Sequence, residues 1–147
     1  DLFSFVDPQE SEVILKVNGT ELEPEMQKGY AVLSGRWKKG DRINLQLPME
    51  DRLVVAHEKV EAKSGLVAVQ YGPMVYCGEQ IDNDLTVLEA GIHRDARFVA
   101  GHEPDILGGI GVLRGEGLSL IPYYAWANRE VGMMNTWFKE LPAEGSN

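Results

Sequence analysis

The amino-acid sequence predicts an all-β fold, an antiparallel β-sandwich of jelly-roll character with about ten short strands and little helix. Three observations carry this expectation. Gly is abundant at 16 residues and Pro reaches 7, and the apolar runs are short and broken by turn residues, a composition of sheets rather than of helix bundles. Strand-like alternation recurs between Gly-containing turns along the whole chain. No segment sustains an apolar period of 3.6 residues, so helix is a minor component.

The elements follow in order. In "EVILKVNGTEL" the residues Val13, Leu15 and Val17 share one face, and Asn18-Gly19 is the dipeptide whose tolerance of positive φ suits a two-residue hairpin turn. Asn18-Gly19-Thr20 also spells a glycosylation sequon, which has meaning only in a eukaryotic secretory pathway; the turn is the preferred reading. "GYAVLSGRW" is a second strand, and "KKGD", with Gly40 and Asp41, is the next turn. In "DRINLQLP" the residues Ile43, Leu45 and Leu47 face one way and Asn44 and Gln46 the other, the pattern of a half-buried strand. Pro48 ends it, since it cannot donate to a ladder. Trp37 reads as a core or rim anchor rather than a sugar platform. The same grammar continues through "RLVVAHEKVEAKSG", "LVAVQYG", "PMVYCGE", "LTVLEA", "ARFVAG", "GIGVLRG", "LSLIPYY" and "MMNTWFKE".

Charge and composition exclude several classes of function. Fourteen Lys and Arg against twenty-three Asp and Glu give a net charge of −9, which repels a phosphate backbone, so nucleic acid is not an expected partner. The basic cluster Arg36, Lys38, Lys39 and Arg42 encloses Asp41. No run approaches the roughly 18 apolar residues of a membrane-spanning helix, and no membrane partner is expected. The single Cys77 excludes an internal disulfide and any multi-cysteine metal site. The opening "DLFSFVDPQESEV" carries no signal-peptide pattern and reads as the interior of a longer polypeptide.

Candidate chemistry is sparse. Cys77 lies in "VYCGE" with only Glu79 nearby, whereas an activated thiolate needs a base or cation, so a buried structural thiol is the preferred reading. His57, His93 and His102 form no H-x-H or H-x-x-x-H pair. Asp82, Asn83, Asp84 and Glu89 in "IDNDLTVLE" offer oxygen ligands but lack the spacing of an EF-hand, and read as a polar loop. The aromatic run "IPYYAWANREVGMMNTWF" gathers Tyr123, Tyr124, Trp126, Trp137 and Phe138 beside Asn128 and Arg129. Flat rings with planar amide and guanidinium groups suit a sandwich core closed by Arg129, a docking surface for another domain, or a sugar platform. Asn18, Gly19, Trp37, Gly40, Asp41, Pro48, Arg52, Gly72 and Pro73 are expected as turn residues and structural anchors.

The order of "VNG", "GY", "RWKKGD", "LQLPMEDR", "GLVAVQYGPMVYCGE", "EPDILGG" and "LIPYYAWANREVGMMNTW" resembles the C-terminal β-sandwich region of glycoside hydrolase family 127, the β-L-arabinofuranosidases. The resemblance spans Val13 to Trp137. It implies that residues 1–140 are a β-sandwich accessory domain, with any division into two smaller sandwiches near residues 79–84; residues 141–147, ending in "PAEGSN", read from their composition as a disordered tail. The family's catalytic centre resides in an (α/α)6 barrel, where a cysteine nucleophile sits at a zinc site and a glutamate acts as acid and base. Cys77 matches the sandwich motif "GPMVYCGE" and not that centre, so no catalytic or metal residue is assigned to this chain and zinc is expected only in the barrel. The implied partners are the barrel domain of the same protein and arabinose-containing oligosaccharides, in a bacterial cytoplasm or periplasm. Relatives enter the "VNG" strand from an Ile-Pro-Gly-Trp-like turn, where this chain has "DLFSFVDPQE". A missing first strand would leave a bare sheet edge near Ile14 and favour a homodimer through that edge.

Overall fold

A computed structural model describes residues 1–8 and 12–145 of the chain. It divides into two compact units, Gln9–Pro48 and a larger one formed by Asp1–Pro8 with Met49–Asn147. The boundary therefore falls at 8/9 and 48/49, not near residues 79–84, where the strand ending at Glu79 runs directly into a 3-10 turn inside the larger unit.

The larger unit contains β1 (Phe3–Phe5), β7 (Asp51–Ala56), β8 (Leu66–Tyr71), β9 (Met74–Glu79), β10 (Gly91–His93), β11 (Val99–Glu103), β12 (Ile110–Gly115), β13 (Leu118–Pro122), β14 (Met134–Asn135) and β15 (Phe138–Leu141). Strands run in the order β1-β7-β8-β9-β13-β12-β11, all antiparallel, while β15 pairs with β8 and, in parallel, with β10. The β8–β9 hairpin turns at Gly72, whose φ of 54° is accessible to glycine at little cost, followed by Pro73 with its fixed φ. Past Tyr76 the two strands part: the start of β8 pairs with β15, and the end of β9 pairs with β13 and β14. That divergence folds the sheet into two layers.

Period-two alternation then decides what each layer buries. Leu53, Val67, Val69, Ile92 and Phe138 from one layer meet Tyr76, Leu113, Leu118 and Leu120 from the other in the main core. Their neighbours in sequence, Cys77, Val112 and Ile121, point to the opposite side of the β9–β13–β12 layer, where Ile106, Ala125 and Met134 cover them in a second core. The β9–β13–β12 layer is thus covered on both faces over much of its length, which is why β9 and β13 are largely apolar.

The smaller unit contains β2 (Ile14–Val17), β3 (Thr20–Glu21), β4 (Glu25–Gln27), β5 (Tyr30–Val32) and β6 (Ile43–Gln46). Its sheet runs β3-β2-β6, and β4 pairs with β5 as a separate hairpin. Asn18 and Gly19, at φ of 51° and 83°, make the tight turn between β2 and β3 expected of Asn-Gly. The Asn18 side chain donates to Asp41 Oδ1 at 3.0 Å and accepts from the Arg42 N–H at 2.9 Å. Asp41 Oδ2 accepts from the Lys38 N–H at 2.6 Å, closing the turn over Gly40. These bonds hold the carboxyl of Asp41 below its usual range, the Lys38 amide first and Asn18 second.

The all-β antiparallel expectation holds, with fifteen strands among the described residues because several are only two or three residues long, and with helix limited to three single 3-10 turns. Three details differ from it. The opening residues form β1 on β7, so the first strand is rebuilt on the larger unit; in the smaller unit β2 is the middle strand of its sheet, with Ile14 paired to Gln46 of β6 and β3 lying beside Lys16 and Val17. Ile43, Leu45 and Leu47 alternate as expected but are exposed, not half-buried. Of the two places expected for Trp37, core or rim, it takes the rim, lining an open cleft with Leu22, Leu33 and Arg36. Of the expected disordered tail, Leu141 ends β15 and the Glu144 N–H donates to Asp95, while Ser146 and Asn147 lie outside the described residues.

Candidate functional site

The larger unit's most organised surface is the segment 123–133 that follows β13. Pro122, opposite Tyr76, is the last residue of β13, and a 3-10 turn at Tyr123–Ala125 leads away from it. Ala125 drops into the second core, so the neighbouring rings of Tyr123, Tyr124 and Trp126 point outward, 47%, 63% and 40% exposed. Tyr123 and Trp126 lie 6.4 Å apart between ring centroids, tilted by 39°.

Arg129 fixes this segment to the sheet. Its Nη2 lies 2.6 Å from Glu79 Oε2 and 2.5 Å from Asp82 Oδ2, and its Nη1 donates to Asp82 Oδ1 at 2.6 Å. The planar fork is suited to two-toothed binding of a carboxylate, here Asp82. The two carboxylates raise the guanidinium pKa further above its ordinary value, Asp82 contributing most. Glu79 is buried, and its second oxygen accepts from the Ala127 N–H at 2.6 Å. Asn83 completes the base: its side-chain amide donates to the carbonyls of Glu79 and Ser119, and its oxygen accepts from the Ser119 N–H. Asn128 donates to the carbonyls of Ala125 and Trp126 and so shapes the turn rather than pointing at a ligand. Beside this base an open cleft of about 450 Å³ is lined by Glu79, Gln80, Ile81, Glu130, Val131 and Met133.

Trp137 does not join the aromatic group. It packs against Phe3 at 5.8 Å, with Lys63 Nζ 5.5 Å from its ring, at the β1 side of the unit. Arg52 likewise serves the sheet, reaching Glu50 at 3.1 Å with its guanidinium over the Phe5 ring. Gly72 is tied in by its N–H to the Glu50 carbonyl. Pro48 follows β6 and closes the smaller unit.

Cys77 is fully buried in the second core, and burial above all, with Glu79 and Asp82 behind it, pushes its thiol up to about 12. At neutral pH it is a protonated, apolar core residue, unfit as a nucleophile. No group of three potential metal ligands, with or without His57, His93 and His102, gathers among the described residues. His57 accepts from the Lys59 N–H, and His93 is bonded to Glu116 at 2.6 Å. Asp82 and Asn83 are consumed by Arg129 and Ser119, so the acidic loop is a structural anchor. Glu79 and Asn83 as the seat of Arg129 were not legible as a site; the only signal was a polar run, "GEQIDND", entering directly from an apolar strand.

Comparison with known proteins agrees with these two bodies. Residues 9–49 match the model for the β-L-arabinofuranosidase GH127 middle domain, and residues 51–139 match that for the glycoside hydrolase family 127 C-terminal domain. A curated relative, the non-reducing end β-L-arabinofuranosidase of Bifidobacterium longum subsp. longum, is 31% identical over 84% of this chain and 23% of its own length. The solved structure of a GH127 β-arabinofuranosidase is 35% identical with a TM-score of 0.89, covering 96% of this chain and 25% of that one. A GH127 β-L-arabinofuranosidase from Geobacillus stearothermophilus T6 is 33% identical with a TM-score of 0.81, covering 89% of this chain and 25% of that one. The chain spans about a quarter of the length of these relatives. It belongs to glycoside hydrolase family 127, within which it comprises the middle and C-terminal domains.

Proposed function

We propose that this chain is a non-catalytic β-sandwich module of a β-L-arabinofuranosidase-like glycoside hydrolase, and that it braces a catalytic barrel in the same polypeptide and shapes one side of its substrate cleft. The observation that carries this reading is its match to two consecutive non-initial domains that together make up about a quarter of relatives whose names give β-arabinofuranosidase activity. The Arg129 anchor supports it, because a brace needs a contact loop whose shape is set before docking. The buried, protonated Cys77 supports it as well, since it leaves the chain's only thiol outside the chemistry.

A second reading rests on the outward rings of Tyr123, Tyr124 and Trp126: a carbohydrate-binding module that stacks arabinose-containing oligosaccharides on this platform. Expression of the full-length polypeptide with and without residues 1–147 separates the readings. A brace makes the remainder inactivate at lower temperature on a soluble aryl β-L-arabinofuranoside. A binding module leaves that heat inactivation unchanged and weakens only retention on the polysaccharide.

A further inference from the structure

We infer that the smaller unit docks the remainder of the same polypeptide through one apolar face of its β3-β2-β6 sheet. This rests on the bracing function proposed above and assigns its second contact surface. In an antiparallel pair, directly opposed residues project to the same side. Leu15 lies opposite Leu45 and Val17 opposite Ile43, while Val13 and Leu47 extend the two rows by alternation. Leu22, whose N–H donates to the Leu15 carbonyl, adds a third row. Seven apolar residues thus share one face, yet Ile43, Leu45 and Leu47 are 54%, 58% and 52% exposed, and Val13 and Leu22 are exposed too. The opposite side carries Lys16, Asn44 and Gln46 with Ile14 as its one apolar residue, a mostly solvated face.

Within this unit Leu15 is the one buried hydrophobic among the described residues. A unit near 40 residues with so small a core, and no disulfide, is too slight to be stable by its own burial. What orders it is the polar lock of Asn18, Asp41 and Arg42, which fixes the strands without covering their apolar side.

The occupant follows from length and charge. The relatives are about four times longer than this chain, and the matching domain is a middle one, so tethered polypeptide is available at high effective concentration. A second copy is disfavoured, because each chain carries a net charge of −9 and two copies repel. The segment 9–48 itself holds six acidic and six basic residues, so it presents a neutral apolar face to a covalently linked neighbour.

Hydroxyl-radical footprinting tests the assignment on residues 1–147 alone and within the full-length polypeptide. Oxidation of Leu45 and Leu47 is expected to fall several-fold in the full-length protein, and to be independent of concentration in the isolated chain. Leu45→Glu should leave the unfolding of the isolated chain unchanged but speed heat inactivation of the full-length protein. Equal oxidation in both contexts, protection of the isolated chain that grows with concentration, or equal destabilisation by Leu45→Glu in both contexts overturns the assignment. Removal of residues 1–147 is read separately: if that leaves heat inactivation of the remainder unchanged, the bracing function fails, whereas an unchanged footprint with accelerated inactivation removes only this face.

Discussion

Arg129 and Glu79, fifty residues apart, meet at 2.6 Å between a loop and the end of a buried strand. Glu79 is only 7% exposed, so removing its cation leaves a largely buried carboxylate without its partner. Arg129→Ala is expected to destabilise the larger unit by about 2–4 kcal/mol. Arg129→Lys should recover only part of this, because a single ammonium cannot serve both carboxylates with a planar fork. Chemical denaturation followed through Trp fluorescence checks both.

Cys77 should not react with a disulfide reagent at pH 8 until the protein unfolds, since its thiol is both covered and pushed up to about 12. Cys77→Ala should cost about 1–3 kcal/mol through the small cavity it leaves. Thiol titration with and without denaturant reads the first, and thermal unfolding the second.

His93 Nδ1 lies 2.6 Å from Glu116 Oε2, which accepts from the protonated ring, and that bond, with Glu144 and Asp95 adding to it, raises the imidazole pKa above the ordinary 6.5. A raised histidine pKa stabilises fully below the unfolded value, and the contribution is lost as pH rises through the folded one. The His93 ring should therefore titrate above 6.5 by NMR, and Glu116→Gln should bring it back down.

In the smaller unit, Asn18→Ala removes two hydrogen bonds at a position with φ of 51°. Hydrogen exchange of β2 and β6 is expected to quicken by about tenfold or more, because both the turn and the lock to Asp41 are lost. Asp41, with a lowered pKa, should contribute above about 3.8, with that contribution lost as pH falls through its folded value. Exchange measured across acid pH checks the sign.

Phe138 fills the main core with no exposure, and Phe138→Ala should cost about 3–5 kcal/mol. Loss of the larger unit's cooperative transition near room temperature would be the extreme of that outcome, and calorimetry measures it.

Local chemistry was legible in the sequence; long-range partnership was not. Asn18-Gly19 declares its turn within two residues, and the alternation of Ile43, Leu45 and Leu47 declares a face. Whether that face is buried depends on a neighbour that alternation does not name, and here it stands exposed. Arg129 finds Glu79 only because β9 pairs with β13, a pairing set by the whole sheet. Trp137 lies near Trp126 in sequence, but β14 and β15 carry it back to Phe3. Cys77 reads as structural from its neighbours alone, and the second core gives the reason.

The central claim is that this chain braces a catalytic domain rather than binding sugar, and an amide NMR titration of the isotopically labelled chain tests it most directly. Arabino-oligosaccharide is added first, then the remainder of the polypeptide expressed separately. The expected result is no shift with sugar and broadening at residues 123–133 and on the apolar β3-β2-β6 face with the polypeptide. Localised shifts at Tyr123, Tyr124 and Trp126 with sugar alone, and no response to the polypeptide, would contradict it.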